Sequence, residues 1–174
     1  MFDGMSRYFQ RKPHGSPREE PPHLSKWALS DSYYKRVEAI EYTLKCDDGE
    51  STSRLPEADV ILVGVSRTGK TPLSVVLSQT MGLKVANIPL VVDEELPRQL
   101  IAPGIDRNRV FCLTLDPDDL QRIRKTRMKR ALAALGPDYG SHESTYDDMR
   151  YIYRDLENAR SIAKKHGFTV IDVT

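Results

Sequence analysis

The sequence predicts an α/β fold, a mostly parallel sheet with covering helices. Short apolar, β-branched runs at 60–63, 84–92, 109–115 and 168–173 alternate with segments whose apolar residues recur at helical spacing. The first run, Val60-Ile61-Leu62-Val63, is apolar without alternation, as expected of a strand covered on both faces. Parallel neighbours need a crossover, which a helix usually supplies, so the alternation itself argues for a parallel sheet.

Along the chain, residues 1–30 hold Pro13, Pro17, Pro21 and Pro22 among charged and small polar residues and show no sustained period. They read as a flexible leader ahead of a folded domain at 31–174, and Asp3, Glu19 and Glu20 argue against a transit peptide. Ser30 or Asp31 caps a short helix with Tyr34, Val37, Ile40 and Glu41 near helical spacing, closed by the turn Asp47-Asp48-Gly49. After the first strand, Pro72 to Met81 places Leu73, Val76, Leu77 and Thr80 on one helical face and stops at Gly82. Lys84 to Val92 and Arg109 to Leu115 are strands, separated by a turn-rich stretch with Pro97, Pro103 and Gly104. Asp116 as N-cap, Pro117 next, and Asp118 and Asp119 in the first turn open a helix striped by Leu120, Ile123, Arg127, Ala131 and Leu135 up to Gly136. Ser144 with Asp147, or Thr145 with Asp148, makes a capping box for a last helix through Met149, Ile152, Tyr153, Leu156 and Ala163 to Gly167. Phe168 to Val173 is the final strand, and an α/β sheet that stops on a strand reads as incomplete.

Composition bounds the partners. With 174 residues, 26 basic and 25 acidic, the formal net charge is +1, so no global field points to nucleic acid or an anionic membrane. Cys46 and Cys112 are far apart and lie in no CxxC or Cys/His cluster, which suits small buried thiols in a reduced compartment. No apolar run approaches the roughly 20 residues of a membrane-spanning helix.

The chemistry concentrates in Gly64-Val65-Ser66-Arg67-Thr68-Gly69-Lys70-Thr71, which satisfies G-x-x-x-x-G-K-[ST] between a strand and a helix. Gly64 and Gly69 permit the dihedrals that let successive N–H groups converge on phosphate oxygens, and the following helix start adds partial positive charge. Lys70 supplies a mobile ammonium, and the Thr71 hydroxyl has the length to hold Mg²⁺. The expected class is therefore a P-loop kinase-like nucleotide-binding domain. Ser66 and Arg67 are less specific, since the guanidinium either grips an anion or points to solvent.

Asp116 and Asp172 end predicted strands and are candidates for a Mg²⁺-positioning carboxylate, although Asp116 fits a helix cap better. Asp47 and Asp48 suit a general base and a metal contact, or only a turn before Gly49. Six of the nine residues from Arg122 to Arg130 are basic, so a helix there must turn some of them towards the core or a partner; the plain alternative is a solvated face. His14, His23, His142 and His166 are scattered, and none earns a catalytic role.

These stretches carry a resemblance. "ADVILVGVSRTGKTPLS" (58–74), "KVANIPLV" (84–91), "LTLDP" (113–117), "IRKTR" (123–127), "VIDVT" (170–174) and, upstream, "YYKRVEAIEYTLKCDDG" (33–49) resemble the pyruvate, phosphate dikinase regulatory proteins and the bacterial proteins that regulate phosphoenolpyruvate synthase. The resemblance implies a bifunctional, ADP-dependent serine/threonine kinase and phosphate-dependent phosphorylase. Such an enzyme switches its target by reversible threonine phosphorylation, with inorganic phosphate as co-substrate. It further implies ADP bound along Gly64, Val65, Ser66, Arg67, Thr68, Gly69, Lys70 and Thr71, Mg²⁺ on Thr71, and catalytic roles for Lys70, Asp47 and Asp48. The family's members carry a long domain ahead of Tyr33 and a helical tail after Val170, so the resemblance implies a chain that binds nucleotide better than it catalyses. The expected compartment is cytoplasmic, with plastid stroma as the alternative. A small-molecule P-loop kinase and a non-catalytic nucleotide-binding protein remain alternatives, and the sequence leaves open whether the chain forms a homodimer.

Overall fold

The computed structural model describes residues 30–135 and 146–174. The predicted leader, the stop at Gly136 and the caps at Ser144 and Thr145 lie outside these residues. Among these residues, four α-helices and four β-strands follow in order: α1 (Asp31–Lys45), β1 (Val60–Gly64), α2 (Lys70–Met81), β2 (Val85–Pro89), β3 (Val110–Thr114), α3 (Pro117–Leu135), α4 (Met149–His166) and β4 (Thr169–Asp172). The four strands form one wholly parallel sheet in the order β2-β1-β3-β4, as the sequence predicts.

Alternation along the strands divides the core. Ile61, Val63, Ala86, Ile88, Val110 and Cys112 face one layer, where Ile152, Leu156, Ala159 and Ala163 of α4 and Leu120 of α3 cover them. Leu62, Val85 and Leu113 face the other, against Leu73 and Leu77 of α2. The chain leaves β1 for β2 on one side and then crosses to β3 on the other. Such a reversal leaves a crevice beyond the carboxyl end of the central strand, where α/β sheets bind their ligands.

Several helical faces differ from expectation. On α1 the buried residues are Ala39, Tyr42 and Thr43, while Tyr34 and Val37 are exposed, because the helix continues a full turn further and meets β2 with its second half. On α2, Val76 is 52% exposed and the small Ser74 and Ser78 are buried instead, their hydroxyls bonded back to Thr71 O and Val75 O. On α3, Ile123 is exposed and Arg124 takes the inward position one residue later. On α4, Tyr153 is exposed and Asp155 and Ala159 are buried. The start of α3 is as read, with Asp116 Oδ1 accepting from the N–H of Asp118 (2.9 Å) and of Asp119 (3.4 Å); α4 starts later than the predicted capping box, with Asp148 itself as the cap, accepting from Arg150 N–H (2.7 Å). β4 is an exposed edge strand.

The opposite edge is sealed. Val85 N–H donates to Thr43 Oγ1 (3.0 Å), Asn87 N–H to Cys46 O (2.9 Å), and Gly49 N–H returns a bond to Asn87 O (2.8 Å). The end of α1 and the turn after it thus occupy the groups that an edge strand would otherwise present to a second chain.

Candidate functional site

Residues 64–71 link the end of β1 to the first turn of α2. Two glycines make the path feasible. Gly64 sits at φ +148°, and a Cβ there would stand 2.6 Å from Leu113 O; Gly69, at φ +85°, precedes the helix in the left-handed region. Arg67 also holds a left-handed conformation, at φ +73°, which is uncommon for a bulky residue and marks a locally over-determined backbone.

Lys70 is 6% exposed, and its Nζ donates to Gly64 O and Val65 O, both at 2.9 Å. Burial pushes the ammonium down to about 8, against the pull of the Asp48 and Asp47 carboxylates. Each carbonyl has another donor, Leu90 N–H on Gly64 O and Thr68 Oγ1 on Val65 O (3.0 Å each). The lysine can therefore move to an incoming anion without orphaning either.

At the start of α2, Thr71 Oγ1 lies 3.2 Å from Asp47 Oδ1, and Asn87 Nδ2 donates both to Asp47 Oδ1 and to Thr71 Oγ1 (3.0 Å). Asn87 Oδ1 is buried and without a partner among the described residues. Asp48, at φ +52°, carries no hydrogen bond or ion pair among the described residues. The acidic segment is therefore both a turn, closed by Glu50 N–H on Asp47 O (3.0 Å), and a wall of the site. An open cleft of about 590 Å³ collects Asp47, Asp48, Ser66, Arg67, Lys70 and Thr71. Asp116 and Asp172 do not line it; the first caps α3 and the second accepts from Thr174 N–H (3.0 Å) and Oγ1 (2.6 Å).

A second group braces the loop from the α3 side. Tyr146 Oη lies 3.2 Å from Ser66 Oγ and accepts from Arg67 Nε (3.1 Å). Arg124, fully buried, donates to Asp155 Oδ2 (2.8 Å), Tyr146 O (3.1 Å) and Ser66 O (3.4 Å), and its guanidinium stacks 4.7 Å from the Tyr146 ring centre. Cys46 and Cys112 are buried and free. His166, half-buried, stands at the end of α4 against Phe168.

Asn87, Arg124, Tyr146 and Asp155 were not singled out as site residues by the sequence. An asparagine inside the apolar strand Val85–Pro89 is a legible signal, since a buried amide needs partners. Arg124 was visible only as one of six basic residues. Nothing local marks Tyr146.

A family model described as kinase/pyrophosphorylase matches residues 1–174. A Bdellovibrio bacteriovorus protein, provisionally named a pyruvate, phosphate dikinase regulatory protein, is 47% identical over 148 residues, 84% of this chain and 49% of that one. The chloroplastic pyruvate, phosphate dikinase regulatory protein of Zea mays is 43% identical over 163 residues, 93% of this chain and 36% of its own. A Halothermothrix orenii protein, provisionally given the same dikinase name, is 43% identical over 174 residues, 100% of this chain and 59% of its own. The chain thus spans only part of the length of these curated relatives, from 36% to 59%.

Proposed function

The chain belongs to the kinase/pyrophosphorylase family, and on that footing we propose that its loop at 64–71 holds ADP for phosphoryl transfer to and from a protein threonine. The target in this reading is pyruvate, phosphate dikinase or phosphoenolpyruvate synthase, and the relatives' names support the first. In one direction the β-phosphoryl group of ADP passes to the threonine oxygen, releasing AMP and the hydroxyl proton. In the other, inorganic phosphate takes the phosphoryl group from phosphothreonine, giving pyrophosphate and the free hydroxyl. The compartment would be the bacterial cytoplasm or, as the maize relative's name suggests, a plastid.

The observation that carries the reading is Lys70, a buried ammonium parked on two carbonyls that both have other donors, at the mouth of a glycine-bounded loop. Phosphoryl transfer asks a protein mainly for positioning and charge neutralisation. Backbone N–H groups of 64–71 and Lys70 would bind the ADP phosphates, and Arg67 would add a guanidinium at the rim. The residues fit a divalent cation: Thr71 Oγ1 and Asp47 stand side by side, and Mg²⁺ held between them would neutralise phosphate charge. Asp48 lines the cleft without an ion pair among the described residues, and in this reading it would accept the threonine proton.

Calorimetric titration with ADP and magnesium tests the binding step. The wild-type chain should bind, and Lys70→Met and Thr71→Ala should each weaken binding tenfold or more, about 1.4 kcal/mol. Unchanged affinity in both variants would remove the loop from the reaction.

A further inference from the structure

Next to the loop cleft, and sharing Arg67 and Ile123 with it, an open groove of about 500 Å³ runs along α3. Arg122, Thr126, Arg127 and Arg130 complete its lining. At roughly 100° per residue, these α3 positions fall within an arc of roughly 140°. Arg124 faces the core, and the exposed Lys125 and Lys129 lie outside the groove. The basic run thus has three separate destinations.

Four guanidinium groups share this groove, and no carboxylate lines it. Among the described residues only Arg122 has an acidic partner, the Asp119 carboxylate one turn back. Arg67 commits Nε to the Tyr146 hydroxyl, which fixes the plane of its fork and leaves both terminal nitrogens without a partner among the described residues. The groove's placement is also fixed, because Arg124 ties α3 to Asp155 of α4 and to Ser66 of the loop. Positive charge that is only partly compensated favours an anion, and forked donors without lysine favour planar or tetrahedral oxyanions taken bidentately.

We propose that this groove is a second phosphate site, separate from the nucleotide's phosphates. It takes a phosphate dianion, either free inorganic phosphate or the ester on a phosphorylated threonine. The proposal rests on the reading of the neighbouring loop as a nucleotide site, because Arg67 borders both and would bridge the two anions. It locates the co-substrate's or product's phosphate, which that reading leaves unplaced.

The test begins with ADP binding, then follows inorganic phosphate, and separately a phosphothreonine peptide, by ³¹P NMR titration of the ADP-saturated chain. At least one anion should bind, and Arg127→Gln/Arg130→Gln should weaken it roughly tenfold or more while ADP affinity and the melting curve stay unchanged. Binding of inorganic phosphate alone identifies the free ion as occupant; binding of the peptide alone identifies the ester. Three results overturn the proposal: neither anion binding, equal affinity in the double variant, or a phosphate-free acidic peptide binding as well as its phosphorylated counterpart. Absence of ADP binding would instead sink the loop assignment. The same anions are then scored on the ADP-free Lys70→Met chain, where the loop's own ammonium cannot hold them.

Discussion

Arg124 and Asp155 form a buried ion pair at 2.8 Å, with side chains 1% and 7% exposed, and through Arg124 the pair also holds Tyr146 O and Ser66 O. It is the one described ion pair whose partners are both buried, and it joins α3 to α4 directly behind the loop.

Breaking one side of this pair should cost far more than removing both. Arg124→Met or Asp155→Asn alone leaves an uncompensated charge in the core, at about 3–5 kcal/mol, whereas Arg124→Met/Asp155→Leu strands no charge and gives up only the bonds to Tyr146 O and Ser66 O. Urea unfolding of the three variants measures this. Equal losses in the single and double variants would mean that the pair is a passive contact.

Asn87 should matter more to the cation than to the nucleotide. Asn87→Ala keeps the backbone bonds to Cys46 and Gly49 but frees Asp47 and Thr71 from their shared donor. Stability should fall by about 1–2 kcal/mol, the net worth of hydrogen bonds to a charged group, offset in part by removing the unpartnered Oδ1. Calorimetry with and without magnesium should show Mg·ADP affinity falling more than that of ADP alone. Equal falls would separate Asn87 from the cation.

Lys70 sets a pH dependence whose sign is fixed. Its ammonium titrates at about 8 in the free chain because burial disfavours the charge, and phosphate oxygens would raise that value. Below pH 8 the lysine is charged before and after binding, so affinity should be flat. Above pH 8 the free chain has lost a proton that binding must restore, and affinity should fall by up to about tenfold per pH unit. Titrations near pH 8 in two buffers of different ionisation heat should reveal uptake of about half a proton per ADP. The free fold itself should gain stability as pH rises from about 8 towards 10.5, because the charged form is the one that burial penalises. Lys70→Met should abolish both effects.

The layers of this molecule could be read from sequence because they depend on local signals: unbroken apolar strands, Asp116 as a cap, Gly82 and Gly167 as stops. Helical faces were less legible. On α2 and α3 the sequence favoured Val76 and Ile123 for the core, yet the interior took Ser74, Ser78 and Arg124, because the serine hydroxyls bond their own helix and the two terminal nitrogens of Arg124 find a buried carboxylate and carbonyls, although its Nε has no partner among the described residues. The loop was legible as a motif. Its supports were not, since Asn87, Tyr146 and Asp155 reach it only through strand order and helix packing, which no local spacing encodes.

The seal on β2 has a cost that surfaces when the protein fails. The stretch of chain that blocks this strand's outer rim is also the stretch that carries Asp47 and Asp48, so the two cannot part company. A motion that withdraws the carboxylates by breaking the Asn87 bonds to Cys46 and Gly49 lays bare a donor and an acceptor that another copy could pair with. In this architecture, losing the acids and becoming sticky are linked, and a cation on Asp47, as proposed above, would guard against clumping as well.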